Sequence, residues 1–132
     1  MKIRKIALRG AAVATAVLSV TALTAGSASA APEQCEPGYF CMWENNAYTG
    51  RIYALRNADS PNFGDFFNDK MTSYWNRSNH TYVVFEHVNY GGTCLHTIRP
   101  GESTSAVPTW ANDLASSARR WRAEDAFRFC QG

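Results

Sequence analysis

The strongest constraint on the fold of this chain is an internal duplication. The pattern aromatic-Glu-x-x-x-Tyr-x-Gly occurs at 43–50 and again at 85–92, and the pattern Asn-Asp-x-x-Ser/Thr-Ser occurs at 68–73 and again at 112–117. The first pattern repeats at an offset of 42 residues and the second at an offset of 44. Two motifs that recur in the same order at nearly one offset indicate that a single structural unit has been duplicated.

Each copy is predicted to be β-structure. Short aromatic or β-branched runs at 39–44 and 82–87 each lead through a turn containing Asn and Gly into a second run, at 51–55 or 94–98. The glycine of each turn suits a backbone position with positive φ. Further strands are predicted at 72–76, 117–122 and 126–130, and long polar loops at 56–65 and 100–111. Apart from single turns near the Asn-Asp motifs, no helix is predicted outside the first 30 residues.

The first 30 residues have the composition of an export signal. Basic residues at the start are followed by an apolar run at 11–23 and by small residues at 28–30, which predicts a mature N-terminus at Ala31. The apolar run is short for a membrane span, which disfavours the alternative of a retained anchor. We therefore predict a signal peptide at 1–30 and a secreted, extracellular single domain at 31–132.

Removal of this leader changes the sign of the net charge. Four of the 13 basic residues and none of the 11 acidic residues lie in the leader, so the remainder carries a net charge of −2. A nucleic-acid-binding protein needs a positive surface, so we expect no nucleic-acid partner, and also no membrane partner. The cluster of Arg119, Arg120 and Arg122 is interpreted as a solvated face of a strand. We expect the protein to be a monomer.

All four cysteines lie after the leader, at Cys35, Cys41, Cys94 and Cys130. An even number in a small exported domain predicts two disulfides, for which three connectivities are possible. The pair that encloses five residues, 35 and 41, favours closure of a small loop, and the other pair would tie the C-terminal segment to a strand. Zinc binding is the weaker alternative, because the spacing of zinc ligands is missing.

The aromatic residues and histidines suggest a packed domain without catalysis. All 17 aromatic residues follow the leader, and Trp43, Trp75, Phe85 and Trp121 are predicted to pack in the core, with an exposed carbohydrate-binding platform as the alternative. The three histidines, His80, His87 and His96, form no H-E-x-x-H motif, and no G-x-S-x-G motif occurs. We predict that the protein is not an enzyme and has no catalytic residues.

The duplicated pattern resembles the microbial βγ-crystallins, and the resemblance covers about 39–122. In that superfamily, the unit is a four-stranded Greek key, and two units pack about a pseudo-twofold axis. The resemblance therefore implies an all-β sandwich of two Greek-key motifs, with repeat halves at about 39–77 and 82–122.

The same resemblance implies calcium as a cofactor. Calcium prefers several oxygen ligands at loose geometry, and an Asn-Asp-x-x-Ser/Thr-Ser loop offers carboxylate, hydroxyl and carbonyl oxygens. In the family, each ion draws ligands from both halves. The implied ligands are the side chains of Asp69 and Asp113, the hydroxyls of Thr72 and Ser116, and the main-chain carbonyls of Lys70, Leu114, Glu44 and Glu86. The alternative is that these polar side chains only cap turns.

A second resemblance concerns the segment ahead of the first aromatic turn. The pattern C-x-x-G-x-x-C at 35–41, running into Met42-Trp43-Glu44, resembles a secreted actinobacterial peptidase-inhibitor family whose founding member inhibits metalloproteinases. That member lacks well-formed Asn-Asp-x-x-Ser-Ser loops, whereas this chain has two.

The second resemblance implies an inhibitor that presents a stiffened loop to secreted proteases, with metalloproteases as the first candidates. The candidate surfaces are 56–65, 99–110 and the loop 35–41, each of which has the alternative of an ordinary connector. The alternative function is a calcium-stabilised structural, stress or toxin-like binding module that does not inhibit proteases.

Overall fold

The computed structural model describes residues 34–128 and 130. The predicted signal peptide and its cleavage site before Ala31 lie outside the described residues. The strands are β1 (Phe40–Asn45), β2 (Thr49–Leu55), β3 (Ser73–Asn76), β4 (Tyr82–His87), β5 (Gly91–Ile98), β6 (Ser103–Thr104) and β7 (Ser117–Arg120). One short α-helix, α1 (Gly64–Phe67), and three 3₁₀ turns (Asn46–Tyr48, Val88–Tyr90 and Ala123–Phe127) complete the described elements. The predicted all-β class is confirmed.

The strands form two antiparallel sheets with the connections of two Greek keys. The first sheet has the order β2-β1-β3-β6 and the second the order β5-β4-β7. After β2 the chain crosses to the second sheet, where Ser60 pairs with Ala118 in β7. After β5 the chain crosses in the opposite direction, and β6 pairs with β3. Each predicted long loop therefore contains a short paired segment, which is too brief to show a period of two in the sequence.

The main core lies between the two sheets. Side chains alternate along each strand, so Phe40 and Met42 of β1 point toward Tyr82 and Val84 of β4. The rings of Phe40 and Tyr82 stack with their centroids 4.6 Å apart. The intervening residues of β1 and β4 face outward, into two smaller clusters that cover the outer faces of the sheets.

Each outer cluster contains one disulfide. Cys35 and Cys41 are bonded over the first sheet, beside Trp43, and Cys94 and Cys130 are bonded over the second sheet, beside Phe85. The structure therefore has the favoured pairing among the three possible connectivities. Within residues 34–128, no helix has the length and apolar character needed to span a membrane.

Three predictions near the C-terminus are wrong. The strand predicted at 126–130 is replaced by the 3₁₀ turn Ala123–Phe127, because Oδ2 of Asp125 accepts a hydrogen bond from the backbone N–H of Arg122 and closes the turn. Arg119 is not on a solvated face: it is 3% exposed, and its guanidinium binds Asp125. Trp121 is not in the core: it lies beyond β7 and is 45% exposed. The other three predicted core aromatics are buried or half-buried.

Candidate functional site

The two aromatic motifs form two equivalent hairpins, β1–β2 and β4–β5. Each hairpin turns through two consecutive residues with left-handed backbone angles, Ala47 and Tyr48 in the first and Asn89 and Tyr90 in the second, with φ between 52° and 60°. The motif glycines follow, Gly50 with φ of 81° and Gly92 with φ of 70°. The predicted positive φ at both glycines is confirmed, and the Tyr-x-Gly part of the motif is explained by a turn that needs left-handed residues.

The motif glutamates stand at irregular positions of their strands. In β1 the pairing with β2 passes from Trp43 directly to Asn45, and in β4 the pairing with β5 passes from Phe85 to His87. At each position one residue of the first strand, Glu44 or Glu86, lies opposite two residues of the second strand, as in a β-bulge. Each motif glutamate therefore stands where the regular ladder is interrupted.

The side chains of these glutamates fasten the hairpins. Oε2 of Glu44 accepts a hydrogen bond from the backbone N–H of Arg51 at 3.4 Å, and Oε2 of Glu86 accepts one from Thr93 at 3.3 Å. The hydrogen bonds from Thr93 hold the pKa of Glu86 below its usual value. The carboxylates therefore stabilise the two hairpin turns.

The two Asn-Asp loops lie against each other across the boundary between the halves. Asp69 and Asp113 both have left-handed backbones, with φ of 55° and 58°, a region that Asp tolerates better than most residues. The backbone N–H of Asp69 donates to the carbonyl of Ala115 at 2.9 Å, and that of Asp113 donates to the carbonyl of Met71 at 3.3 Å. Each loop thus orders the other.

The side chains of the two loops also cross. The hydroxyl of Thr72 donates to Oδ1 of Asp113 at 3.3 Å, and the hydroxyl of Ser116 donates to Oδ1 of Asp69 at 3.2 Å. In both contacts, the hydroxyl comes from one half and the carboxylate from the other. The loops therefore place an uncharged oxygen and a charged oxygen side by side at two equivalent positions.

Two open grooves collect all eight residues that the sequence singled out. The first groove is lined by Glu44, Lys70, Thr72 and Asp113, together with neighbours that include Asn45, Asn46 and Asn112. The second groove is lined by Glu86, Leu114, Ser116 and Asp69, together with Asn68, His87 and Val88. Three residues of each set come from one half, and the carboxylate comes from the other half.

The donor set in each groove has a definite chemical character. Asp69 also lines the first groove, so that groove offers the carboxylates of both Asp69 and Asp113, whereas the second offers that of Asp69. Each groove also has one motif hydroxyl and residues whose backbone carbonyls are hard oxygen donors of the kind that suits calcium. Nowhere in the described part of the chain do three or more His, Cys, Asp or Glu side chains cluster as a metal-binding group. Such a set fits a weakly held oxygen-liganded cation better than it fits zinc or copper.

The sixth residue of each Asn-Asp motif has a role that the sequence did not reveal. The hydroxyl of Ser73 donates to the carbonyl of Asn45 at 2.7 Å and accepts from the backbone N–H of Tyr48 at 3.1 Å. Ser117 makes the equivalent bonds with His87 and Tyr90. Both serines are buried and join the Asn-Asp loop to the aromatic hairpin of the same half. The sequence did contain a sign of this role, because the serine occurs at the sixth position of both copies of the motif.

Solved structures with this fold are βγ-crystallins. The chain matches a βγ-crystallin from an archaeon with 25% identity and a TM-score of 0.53, over 65% of this chain and 100% of that one. It matches a βγ-crystallin domain from Clostridium beijerinckii with 26% identity and a TM-score of 0.53, over 63% of this chain and 97% of that one. A βγ-crystallin from Ciona intestinalis, 21% identical with a TM-score of 0.55 over 64% of this chain and 100% of its own, shares the fold. The predicted sandwich of two Greek keys is confirmed.

The family comparison is more specific than the fold. No curated protein matches the chain. The model of peptidase inhibitor family I36, however, matches residues 28–97, which is more than half of the sequence and includes the Cys35–Cys41 loop and both aromatic hairpins. The protein belongs to peptidase inhibitor family I36, and it is not an enzyme.

Proposed function

We propose that the protein inhibits secreted peptidases and that calcium stabilises its fold. The observation that carries the proposal is the match to peptidase inhibitor family I36 over residues 28–97. An inhibitor gains affinity when its contact surface is ordered before binding, because less entropy is then lost in the complex. Two disulfides and two crossed loops give this chain such order.

Metalloproteases are the first partners to test, because the C-x-x-G-x-x-C segment resembles a family whose founding member inhibits them. The experiment is an active-site titration of a thermolysin-type zinc protease with the purified protein, beside a panel of secreted serine proteases. Calcium is present in excess, so that the inhibitor and the protease both remain in the calcium-bound state throughout the titration. We expect inhibition that saturates at one inhibitor per protease. A protein that is folded but leaves every protease fully active would refute the proposal.

Calcium is proposed for the two grooves described above. Glu44, Lys70 and Thr72 would hold one ion with the carboxylate of Asp113, and Glu86, Leu114 and Ser116 would hold the other with Asp69. A bound cation supplies positive charge at a place where carboxylate and hydroxyl oxygens from both halves converge. Since each ion would take oxygens from both halves, binding to the native state would raise the free energy of unfolding.

Export is proposed as the context of this function. Disulfides persist in oxidising compartments, and both pairs of this chain are bonded in the structure. We propose that residues 1–30 are removed and that 31–132 act as one monomeric domain. Mass spectrometry of the protein recovered from the culture medium would give the N-terminus, and sedimentation would give the mass in solution. An N-terminus other than Ala31, or a dimeric mass, would contradict the respective part.

A second candidate function is a calcium-stabilised structural, stress or toxin-like binding module that does not inhibit proteases. The favouring observation is that βγ-crystallin domains match this chain over 97–100% of their own length. The two candidates differ in one result. A calcium-dependent rise in melting temperature together with no inhibition of any protease would favour the second.

A further inference from the structure

Two Pro-Gly turns stand at the same end of the molecule. The first is Glu36-Pro37-Gly38-Tyr39, in which the N–H of the fourth residue donates to the carbonyl of the first at 3.2 Å. The second is Arg99-Pro100-Gly101-Glu102, in which the same bond measures 3.1 Å. Proline at the second position and a glycine with φ of 92° or 85° at the third are typical of a type II turn. Both turns are therefore pre-formed by their own sequences.

Both turns are bound to two consecutive residues at the end of β3. The N–H of Gly101 donates to the carbonyl of Asn76 at 2.7 Å, and the N–H of Gly38 donates to the carbonyl of Arg77 at 2.9 Å. The first turn leads into β1 and the second into β6, which pair with β3 on opposite sides, so the two turns flank the end of β3. The first turn also lies within the Cys35–Cys41 disulfide loop.

Buried polar contacts fix this arrangement. The side chain of Asn76 is fully buried, and its amide donates to the carbonyls of His80 and Ile98 at 2.7 and 3.0 Å. Its Oδ1 accepts from both the backbone and the hydroxyl of Ser78. The guanidinium of Arg77 donates to the carbonyl of Cys35. A satisfied buried network of this kind makes the loops around it rigid.

The tips of the turns are nevertheless free to touch another molecule. Pro37, Gly38, Pro100 and Gly101 are all exposed. A Cβ placed on either glycine would meet no atom within 4 Å. The side chain of Asn76 is buried and Arg77 is half-buried, whereas the turn tips face solvent, so a partner could contact the tips without disturbing the network.

The segments 56–65 and 99–110 make contacts that hold the two sheets in place. In the segment 56–65, Ser60 pairs with β7 and Asp59 accepts hydrogen bonds from Arg120 and Arg122. In the segment 99–110, the part beyond the Pro-Gly turn forms β6, and Val107 is buried. Of the three candidate surfaces, only the loop 35–41 lies ahead of the Greek-key strands.

The family match points to the same loop. The matched span begins at residue 28 and includes the loop 35–41, but it ends before Arg99. Residues 35–39 of this loop precede β1, so they belong to the family match but to neither of the two sheets.

We propose that this end of the molecule is the surface that contacts the protease, with the Pro37–Gly38 turn as the main contact and the Pro100–Gly101 turn beside it. The inference rests on the proposed inhibition and names the surface responsible for it. The left-handed backbone of Gly38 prevents this turn from lying extended like a substrate, so it contacts the protease as a rigid projection. The buried contacts of Asn76 and Arg77 keep the ordering cost of binding low.

The test compares four exposed prolines under one substitution. Pro37→Glu and Pro100→Glu alter the two turn tips. Pro61→Glu, in the segment 56–65, and Pro108→Glu, beyond β6, make the same change of charge and size away from the turns. All four keep the glycines, the disulfides and the backbone carbonyls. Thermal melting and circular dichroism confirm folding, and the inhibition constant is then measured for the protease that the wild-type chain inhibits best.

We expect Pro37→Glu to raise the inhibition constant by about tenfold or more, and Pro100→Glu by a smaller factor. We expect Pro61→Glu and Pro108→Glu to leave it within about twofold of wild type, as near-neutral sites outside an interface do. A folded Pro37→Glu variant that inhibits like wild type would overturn the inference, as would an equal loss in the two controls. If the wild-type chain inhibits no protease, the proposed function itself fails, which is a different result from inhibition that persists in the turn variants.

Discussion

The hydroxyl of Thr72 donates a hydrogen bond to Oδ1 of Asp113 across 3.3 Å, although the two residues are 41 positions apart. The contact repeats in reverse between Ser116 and Asp69. The duplication therefore places a carboxylate of each half beside an oxygen of the other half. Among residues 34–128, neither carboxylate forms a salt bridge, so the negative charge at each position is available to a cation.

Removal of both carboxylate charges should abolish the effect of calcium on stability. At a hundredfold excess over the dissociation constant, binding to the native state contributes about 2.7 kcal/mol. In a domain of this length, that energy corresponds to a rise in melting temperature of about 10 °C or more. We expect the rise in the wild-type protein and its loss in the double variant Asp69→Asn/Asp113→Asn. Asparagine is chosen because it tolerates the left-handed backbone at both positions.

The matched control for the calcium experiment is Asp65→Asn. Asp65 is exposed in the first turn of α1 and lines neither groove. This variant loses one carboxylate charge but should keep the full calcium-dependent rise measured by calorimetry. A double variant that responds to calcium like wild type would show that the Asn-Asp loops act only as turns.

A buried histidine should make the fold sensitive to acid. His96 is 3% exposed, lies between the rings of Tyr74 and Trp110, and has no hydrogen-bond partner for Nε2 in the described structure. Burial lowers the pKa of His96 to about 4, whereas its usual value is 6.5. Between about pH 6.5 and 4, His96 is therefore protonated in the unfolded chain but neutral in the folded one. The free energy of unfolding falls as the pH decreases through this range. A shift of this size corresponds to a loss of order 3 kcal/mol.

The measurement is urea unfolding of the wild-type protein and His96→Leu at several pH values. Leucine cannot be protonated, and it leaves no unpaired nitrogen in the apolar site. We expect the variant to match or exceed the wild-type stability near pH 7.5 and to lose less of it on acidification. The two other histidines remain in both proteins and serve as an internal control. Parallel pH profiles would contradict the assignment of the acid sensitivity to His96.

The sequence predicted those parts of the molecule that local patterns specify. The aromatic motif requires a hairpin with left-handed residues, and its repetition predicted both hairpins and both motif glycines. The residues at the two grooves were implied only by the resemblance to the βγ-crystallins. The segments that pair only through the tertiary fold were missed. Ser60 forms a single bridge and β6 has two residues, so neither carries a sequence period.

The errors near the C-terminus have one physical cause. Arginine in a strand normally faces solvent. Arg119 is buried instead, because its guanidinium binds Asp125, which lies on a 3₁₀ turn that the sequence did not predict. A buried ion pair depends on the position of both partners, and hydrophobic periodicity contains no information about such a pair. The exposure of Trp121 follows from the same error, because the strand predicted to continue to 122 ends at Arg120.

The ion pair between Arg119 and Asp125 should be costly to break. Their side chains are 4% and 1% exposed, and the bond between Nη2 and Oδ1 measures 2.7 Å. Removal of Arg119 leaves the buried carboxylate of Asp125 with the longer contact to Arg128, at 3.6 Å, and the hydrogen bond from the backbone of Arg122. The loss of the main charged partner of a buried group costs about 3–5 kcal/mol. We therefore expect Arg119→Met to lower the free energy of unfolding by that amount in guanidinium titrations.

Glu124→Gln is the control for this ion pair. Glu124 also binds Arg119, but its side chain is 63% exposed, and solvent screens such pairs so that they contribute little to stability. The control variant should unfold close to the wild-type midpoint. If Arg119→Met and Glu124→Gln lowered the free energy of unfolding equally, the buried pair of Arg119 and Asp125 would not be the main source of stability in this network.

The first motif glycine should link hairpin geometry to calcium binding. A Cβ on Gly50 would lie 3.2 Å from Cβ of Glu44 and 2.6 Å from Nδ2 of Asn45, and its φ of 81° disfavours any side chain. Gly101 has a similar φ of 85° but open space around it, so Gly101→Ala should cost only the left-handed strain of about 1–2 kcal/mol. Gly50→Ala should cost more, and, because the clash moves Glu44, it should also reduce the calcium-dependent rise in melting temperature. Equal losses in the two variants, with the full calcium response retained in both, would show that Gly50 is needed only for its backbone angle and that the position of Glu44 does not matter to the ion.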